Sequence, residues 1–397
     1  MKKKPTRARA MALSLVLLFI FSFFPFAQAA SLAQGDRGPT VKDLKIRLFD
    51  LGYLRTVKDA DERYSAQIKD LMAQFQAANG LPVTGIADPL TLERVYSDSA
   101  IKAPLPPNRP LYNIEPDARP ALDPEVLPPL DIKGYLAGGD PFVYQDREAG
   151  LWFYLSQRIK VSITRFYQTQ GQIEWFEVYV SYRDEGKPFS IASAREGAAR
   201  ESPLKLAEEA AAIVAINDDF YHYRVNKGLR TGIVVRQSQA MTNSTYKQNR
   251  SRIPSLEVMA LFEDGTLKTF ASDAHTAQGY IDMGVTDTWA FGPALVQEGE
   301  VPRYFYSKDY RSYIDPRSAI GMIDEGVYCA LVITGRKEGS RGAAFGWMAE
   351  KMAAMGAREA LNLDGGGSST LVFMGEMLNK SASHQTSRSV SGLIGFK

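Results

Sequence analysis

The run Asp364-Gly365-Gly366-Gly367-Ser368-Ser369-Thr370 brings a carboxylate, three glycines and three hydroxyls together within seven residues. Consecutive glycines let the backbone take positive φ angles and turn its N–H groups toward one point. The hydroxyls add further donors there, and Asp364 supplies a carboxylate beside them. Three glycines alone also occur in plain hairpin turns. Because an apolar run lies on either side, the pattern favours a binding site for an anionic oxygen.

A second polar cluster, Asn217, Asp218 and Asp219, directly follows the apolar run 213–216. Loop residues at the end of a buried strand are commonly presented for binding. Adjacent carboxylates point apart on an extended chain, so these two are not expected to act as an acid–base pair with each other. Taken alone, the cluster is also typical of an ordinary strand-end turn.

Two arginines have the character of phosphate ligands. Arg317 lies just before a strand-like run, Arg388 lies near the last one, and a guanidinium presents a planar fork of donors suited to phosphate. Each alone is also typical of a surface salt bridge. The histidines, His222, His275 and His384, are scattered without ligand spacing and give weak support for a zinc site.

The N-terminus has the order of a secretory signal. A basic stretch leads into an apolar run over 11–26, and Ala27-Gln28-Ala29 fits a cleavage site that would make residues 1–29 a signal peptide. An uncleaved membrane anchor is the alternative, but the apolar run is short for a span. We therefore expect a secreted, extracytoplasmic protein.

Composition narrows the function further. The leader carries five basic residues and no acid, so its removal takes the formal charge from +2 to −3 and argues against nucleic acid as a partner. Cys329 is the only cysteine, so no intramolecular disulfide can form. It lies in an apolar strand-like run and is predicted to be a small core residue rather than a nucleophile.

Residues 35–98 are predicted to form a small helical unit. Apolar spacing predicts a helix within 40–54 and another over 65–78, and Asp88-Pro89 begins a short third helix. The unit resembles the three-helix peptidoglycan-binding module through Leu51-Gly52-Tyr53-Leu54, Phe75-Gln76 and Gly80-Leu81-Pro82-Val83-Thr84-Gly85. The resemblance implies peptidoglycan or another cell-wall glycan as a partner. A helical spacer that has lost glycan affinity is the alternative.

The remaining chain divides into a linker and a larger domain. Nine prolines between 104 and 129 make 101–132 an extended, semi-rigid linker. In the domain, 133–397, the runs 159–167 and 173–182 predict a β-hairpin. Ser202-Pro203 predicts a helix start, and a second helix is expected over 346–355. These patterns predict an α+β domain with a mixed sheet and helices on its faces.

From about residue 202 to 396 this domain resembles the phosphodiester glycosidases, the family of the N-acetylglucosamine-1-phosphodiester α-N-acetylglucosaminidase. The matching stretches occur in the family's order, at 215–221, 291–296, 316–321, 335–342, 361–370 and 388–391. The run Leu361-Asn362-Leu363-Asp364-Gly365-Gly366-Gly367-Ser368, combined with Pro316-Arg317-Ser318-Ala319-Ile320-Gly321, is highly specific. The resemblance implies hydrolysis of the sugar–phosphate linkage of a glycosyl-1-phosphodiester.

The family pattern and the chemistry together assign residues to roles. The expected catalytic residues are Asp364, Asp219 and Asn217. The expected phosphate and substrate ligands are Arg317, Gly365, Gly366, Gly367, Ser368, Ser369 and Arg388. Which aspartate activates water and which stabilises the sugar C1 stays open, and a divalent cation at these aspartates is neither required nor excluded by the pattern.

Four positions depart from the family. It usually has Gly or Ala at the place of Asp218, and its closing motif commonly has an acid at 387, a proline at 389 and an amide at 392. This chain has Ser387, Ser389 and Gly392 there. The expected substrate is a phosphorylated polysaccharide of the cell envelope. A phosphodiesterase that breaks P–O bonds and a non-catalytic wall-binding protein are the alternatives.

Overall fold

The computed structural model describes residues 31–54, 62–97, 99–103, 122, 125–192, 199–219, 221–222, 231–244, 256–272, 274–306, 313–379 and 388–397. The predicted signal peptide and most of the proline-rich linker lie outside these residues. Within them, no helix is both long and apolar enough to cross a membrane. The chain divides into two compact units at residues 104 and 105.

The first unit consists of three helices, α1 (Pro39–Asp50), α2 (Ala66–Ala78) and α3 (Pro89–Tyr96). Ser65 caps α2 and Asp88 caps α3, each accepting a hydrogen bond from a backbone N–H in the first turn. Leu44, Leu48 and Phe75 are fully buried in the core between the helices. The helical unit predicted from apolar spacing is therefore confirmed.

The second unit is built mostly from strands, whose bounds are β1 (Phe142–Asp146), β2 (Leu151–Leu155), β3 (Ile159–Gln168), β4 (Ile173–Tyr182), β5 (Phe189–Ala192), β6 (Val214–Asn217), β7 (Gly232–Arg236), β8 (Gln239–Ser244), β9 (Glu257–Phe262), β10 (Leu267–Phe270), β11 (Val285–Phe291), β12 (Ala294–Val296), β13 (Arg317–Asp324), β14 (Val327–Ile333), β15 (Glu359–Asn362), β16 (Leu371–Phe373), β17 (Glu376–Met377) and β18 (Gly392–Phe396). Within the described residues its helices are α4 (Pro203–Glu209), α5 (Ala277–Asp282) and α6 (Phe345–Ala354).

The strands form four sheets. The largest has the order β1-β2-β3-β4-β14-β13-β15-β12, and the second has the order β17-β16-β6-β18-β5. Smaller sheets are β10-β9-β11 and β7-β8. The α+β class is confirmed. The pairs described are antiparallel rather than mixed, because neighbouring strands are joined as hairpins or return from opposite ends, as in the predicted β3–β4 hairpin.

The two large sheets pack face to face, and a helix covers each outer face. Alternation along β14 shows this directly: Ala330 and Val332 face the core shared with β6, β16 and β18, whereas Leu331 and Ile333 face α6. Cys329 lies on the α6 side and is buried, as predicted for a core residue. The outer face of the second sheet packs on α4. Helix α4 begins after Ser202, although the Ser202 hydroxyl does not cap it.

Candidate active site

The predicted site lies where three strands of the two large sheets end. Strand β6 ends at Asn217, β13 begins at Arg317 and β15 ends at Asn362, two residues before Asp364. Strands β13 and β15 are paired, with Ala319 opposite Asn362. Because β6 belongs to the other sheet, the site is formed at one edge of the sandwich by both sheets.

The predicted stretch around Gly292 fixes the end of β15. The Gly292 amide donates to the Asn362 carbonyl (3.0 Å), and the Asn362 side chain donates to the Gly292 carbonyl (2.8 Å). The Asn362 amide also donates to the Pro293 carbonyl (3.1 Å). These bonds hold the strand end from which Asp364 and the glycine turn emerge.

Asn217 is a buried connector between the segments of the site. Its Oδ1 accepts from the Ser318 hydroxyl (2.7 Å) and from the Thr370 amide (3.0 Å), and its Nδ2 donates to the Asp364 carbonyl (2.7 Å). Only 1% of the residue is exposed. The side chain therefore touches the beginning of β13 and both ends of the glycine turn, and it acts on the site through these segments.

The glycine turn is a short 3-10 turn over Gly366–Ser368. Its amides donate mostly inside the protein: Gly365 to Asp364 Oδ1 (3.0 Å), Gly366 to the Pro316 carbonyl (2.9 Å), Ser368 to the Gly365 carbonyl (3.2 Å) and Ser369 to the Gly366 carbonyl (3.3 Å). The Ser369 hydroxyl is buried without a partner among the described residues. Most amides of the turn are therefore already bonded within the protein, which three glycines alone do not predict. The side-chain donors around the turn are thus the stronger candidates for binding an anion.

Asp364 is the half-buried carboxylate of the site. Burial raises its pKa to about 6, and the charge of Asp219 acts in the same direction. Hydrogen bonds from the Ser368 side chain and the Gly365 amide, together with the charge of Arg388, act to lower it. Tyr221, also buried, lies 3.3 Å from the Ser368 hydroxyl. A carboxyl with this pKa changes protonation just below neutral pH.

Asp218 and Asp219 share an arginine that the sequence analysis did not single out. The Arg236 guanidinium lies 3.5 Å from Asp218 Oδ2 and 3.3 Å from Asp219 Oδ2, and Asp219 is fully buried. Arg236 also donates to the Thr288 carbonyl. A charged residue ending the apolar run 232–235 was its only signal, and that signal is shared by many surface residues.

The departures at Asp218 and Gly392 are linked in space. A Cβ atom built on Gly392 would lie 2.4 Å from Asp218 Oδ2, well inside contact distance. The Asp218 carboxylate therefore occupies the space that a side chain at 392 would need. At position 392 the family commonly has an amide side chain. Here the Asp218 carboxylate fills that space, and its negative charge faces Arg236.

The arginines around the turn differ in accessibility. Arg317 is 4% exposed, its guanidinium lies 3.8 Å from the Phe345 ring, and it donates to the Ala343 and Tyr313 carbonyls. Burial lowers its pKa to about 10, so it stays charged at neutral pH. Arg388 is exposed, with its Cδ 3.4 Å from the position of a Cβ on Gly367.

The structure thus brings all ten predicted site residues to one edge of the sandwich. His275 is elsewhere, packed on Phe270 and Tyr280, and His384 lies outside the described residues. In the part of the chain that the structure describes, no three His, Cys, Asp or Glu side chains are grouped so that they could hold a metal ion. Arg236 is a positive partner that Asp218 and Asp219 share.

Comparison with known families shows which proteins this chain is similar to. Residues 210–397 match the phosphodiester glycosidase family model, and residues 37–95 match the peptidoglycan binding domain model. The domain that carries the site is therefore similar to the phosphodiester glycosidases over slightly less than half of the chain. The resemblances predicted from the motifs are confirmed at both ends of the chain. The two matches support a glycosidase-like hydrolase with a cell-wall glycan as partner.

Individual relatives are distant. An uncharacterized protein of Bacillus subtilis (strain 168), the SPbeta prophage-derived YomE, is 28% identical over 186 residues, which are 45% of this chain and 27% of that protein. The chain thus spans about a quarter of this curated relative. Among solved structures, the zebrafish N-acetylglucosamine-1-phosphodiester α-N-acetylglucosaminidase catalytic domain, auto-inhibited by its pro-peptide, aligns at 17% identity with a TM-score of 0.48, over 61% of this chain and 84% of that one. A hypothetical protein from Synechocystis aligns at 17% identity and a TM-score of 0.41, over 66% of this chain and 64% of that one.

Proposed function

We propose that the C-terminal domain hydrolyses the sugar–phosphate linkage of a glycosyl-1-phosphodiester in a cell-envelope polymer. The observation that carries the proposal is the position of Asp364. Its half-buried carboxylate, with a pKa of about 6, lies beside a glycine turn that Arg388 flanks. A carboxylate next to an arginine-flanked turn suits a reaction at the junction of a sugar and a phosphate.

The two aspartates are suited to different tasks. Asp219 is fully buried and paired with Arg236, so it has no direct access to substrate and is suited to fixing the charge around Asp364. Asp364 is the more accessible of the two. We assign it to water activation: water attacks the sugar C1, its proton passes to the Asp364 carboxylate, and the C1–O electron pair leaves with the phosphate.

The departing phosphate gains a second negative charge in this step. Phosphate is a good leaving group, so donors that strengthen with the developing charge matter more than a strong general acid. Arg388 is suited to this task because it is exposed beside Gly367. Arg317 is charged but enclosed by Phe345, so we assign it to the electrostatics and shape of the turn.

The substrate is expected in the cell envelope. The match of residues 37–95 to a peptidoglycan binding domain supports attachment to wall glycan, and the order of features in residues 1–29 supports secretion. A phosphate-linked polysaccharide anchored near peptidoglycan combines both requirements. Asp218 and Gly392 depart from the family pattern next to Asp364, so we assign no particular sugar.

The reaction is tested with a synthetic glycosyl-1-phosphodiester that carries an alkyl group on the phosphate, incubated in heavy-oxygen water. We expect release of free sugar and an alkyl phosphomonoester, with the heavy oxygen in the sugar. Asp364→Asn should lower kcat by about 10³-fold, because the base is lost while the shape is kept. Asp324→Asn, an exposed aspartate at the far end of β13, is the matched control and should retain activity.

Two results would contradict the proposal. Heavy oxygen in the phosphate would mean that a P–O bond is broken and that the domain is a phosphodiesterase of another specificity. An absence of turnover on a panel of such diesters, with wall binding retained, would favour a protein that only binds the envelope.

A further inference from the structure

Arg336 lies against the glycine turn, on the loop between β14 and α6. If Gly366 carried a Cβ atom, that atom would lie 3.1 Å from one terminal nitrogen of the Arg336 guanidinium, Nη2, and 3.4 Å from the other, Nη1. Gly366 itself has a φ of +62°. A glycine at this position both adopts the left-handed backbone and leaves room for the guanidinium. Arg336 therefore covers Gly366, next to Gly367, which Arg388 covers.

Asp315 holds this arginine in a two-bonded fork. Arg336 Nε donates to Asp315 Oδ1 (2.7 Å) and Arg336 Nη2 donates to Asp315 Oδ2 (2.8 Å). Asp315 is 8% exposed, and its backbone pairs with that of Ala343. A Cβ on Gly342 would lie 2.4 Å from the Asp315 carbonyl oxygen, so the close approach of the two segments requires glycine there. The orientation of Arg336 is thus set by a buried partner.

The rest of the loop is anchored independently of the site. Thr334 Oγ1 donates to Glu174 Oε2 (2.8 Å), and the Lys337 ammonium contacts the same carboxylate. The Arg341 amide donates to the Gln172 carbonyl (2.8 Å). These contacts tie the loop to the turn between β3 and β4 and to the start of β4, so Arg336 does not have to be ordered when a ligand arrives.

The fork leaves part of the guanidinium available. Nε and Nη2 donate to Asp315, and no partner of Nη1 is found within the described residues. The Arg336 side chain is 53% exposed, in contrast to the 4% of Arg317. Asp315 offsets the formal charge of Arg336 while fixing its direction. Arg388 adds a second, exposed guanidinium on the neighbouring glycine.

We propose that Arg336 and Arg388 form a two-arginine clamp across Gly366 and Gly367 that binds a phosphate dianion, the group left on the polymer or alcohol after hydrolysis. The assignment of the dianion as product rests on the proposed function. Arg336 lies in the matching stretch 335–342, but the motifs assign it no role, and the role proposed here belongs to binding rather than to bond cleavage. Inorganic phosphate shares the chemistry of a phosphomonoester and serves as the probe.

Calorimetric titration of the full chain with inorganic phosphate, at a pH where phosphate is mostly dianionic, tests the clamp. Arg336→Met should weaken phosphate binding about tenfold or more, because a charge-assisted hydrogen bond is lost. Arg341→Met removes an exposed arginine from the same loop and should leave the affinity unchanged. Unchanged affinity in a folded Arg336→Met protein would overturn the proposal.

A second variant decides the question if the methionine protein does not fold. Arg336→Lys keeps the positive charge but cannot form the fork and still present a second donor group. We expect several-fold weaker phosphate binding, and wild-type affinity in this variant would overturn the clamp. Because binding is measured without turnover, phosphate affinity that depends on Arg336 in a protein that hydrolyses no diester would leave the clamp intact and reject the hydrolase.

Discussion

Each of the two units of the chain contains a buried amide side chain that connects a loop to the core, Gln76 in the first and Asn217 in the second. In the helical unit, Gln76 Oε1 accepts from the Thr84 amide (2.9 Å) and the Gly85 amide (2.8 Å), and Nε2 donates to the Ile86 carbonyl (2.8 Å). In the C-terminal domain, Asn217 makes three such bonds to the segments of the site. Both amides satisfy backbone groups that would otherwise be buried without partners.

The two connectors differ in what lies next to the loop they hold. The loop of Gln76 lies between Leu81 and Ala87, which pack in the apolar core of the helical unit. Asn217 holds the carbonyl of Asp364, whose carboxylate is half-buried beside Asp219 and Arg388. The same device therefore stabilises a fold in one unit and positions ionised groups in the other. Removing each amide should separate these two consequences.

The largest effect is expected for Asn217→Ala. The Ser318 hydroxyl, the Thr370 amide and the Asp364 carbonyl lose their partner in a buried place, so the free energy of unfolding of the domain should fall by about 3 kcal/mol. The glycine turn should shift as well. We expect kcat/KM on a glycosyl-1-phosphodiester to fall about 10²-fold, because small displacements of reacting groups are costly.

Asn243→Ala is the matched control for this prediction. Asn243 Oδ1 accepts from the Ala277 amide (2.9 Å) at the start of α5, away from Asp364. Its removal should cost some stability and leave kcat/KM near the wild-type value. Equal losses of activity in the two variants would mean that Asn217 acts only through overall stability, and the contrast between the connectors would fail.

A smaller and separate effect is expected for Gln76→Ala. Two amide donors and a carbonyl lose their partner, so the helical unit should lose about 2 kcal/mol of stability, and retention on purified peptidoglycan should fall. Hydrolysis of a soluble diester should not change, because no part of the site is altered. Gln74→Ala, an exposed change in the same helix, should affect neither measurement.

Loss of diester hydrolysis in Gln76→Ala would contradict the separation of the two units. Retention on peptidoglycan that stays at the wild-type level, although the unit is measurably destabilised, would show that glycan affinity does not depend on the loop at 84–86. In that case the comparison would be sharpened: Gln76 would be a connector for folding alone.

The contrast also shows how far the sequence could lead. Helical spacing around Phe75 and the hairpin over β3 and β4 are local patterns, and both are confirmed. The glycine turn was found because its residues are contiguous. The pairing of Arg236 with Asp218 and Asp219 was not foreseen, because it joins strand ends that only the folded sandwich brings together.

For the same reason, the environment of Arg317 could not be predicted from the sequence. Its burial depends on Tyr313, four residues before it, and on Phe345, which lies far along the chain on α6 and has no spacing relation to it. The amides of the glycine turn likewise find an acceptor in the Pro316 carbonyl, a contact between two motifs. Residue types indicated which groups gather at the site, and only tertiary contacts decide which of their donors and charges stay accessible.

The smallest expected effect is a shift in pH dependence. Burial raises the pKa of Asp364 from its ordinary value of 3.8 to about 6, so the ionised form that activates water accumulates above that pH. We expect kcat/KM to rise with pH through about 6. A raised folded-state pKa also means that ionisation costs stability, so the contribution of Asp364 to stability should fall between about pH 4 and pH 6.

Variants of Arg388 and Arg336 test which of the two arginines changes the pKa of Asp364 in this pH profile. The charge of Arg388 lowers the pKa of Asp364, so Arg388→Met should move the rising limb to higher pH. The charge of Arg336 is offset by its fork with Asp315, so Arg336→Met should move the limb less than Arg388→Met does. A limb that moves equally in both variants would place Arg336 in the electrostatic environment of Asp364. Because no hydrogen bond joins Gln76 to a carboxylate within the described residues, retention on peptidoglycan should stay flat over the same pH range, and only the unit held by Asn217 should respond to protons.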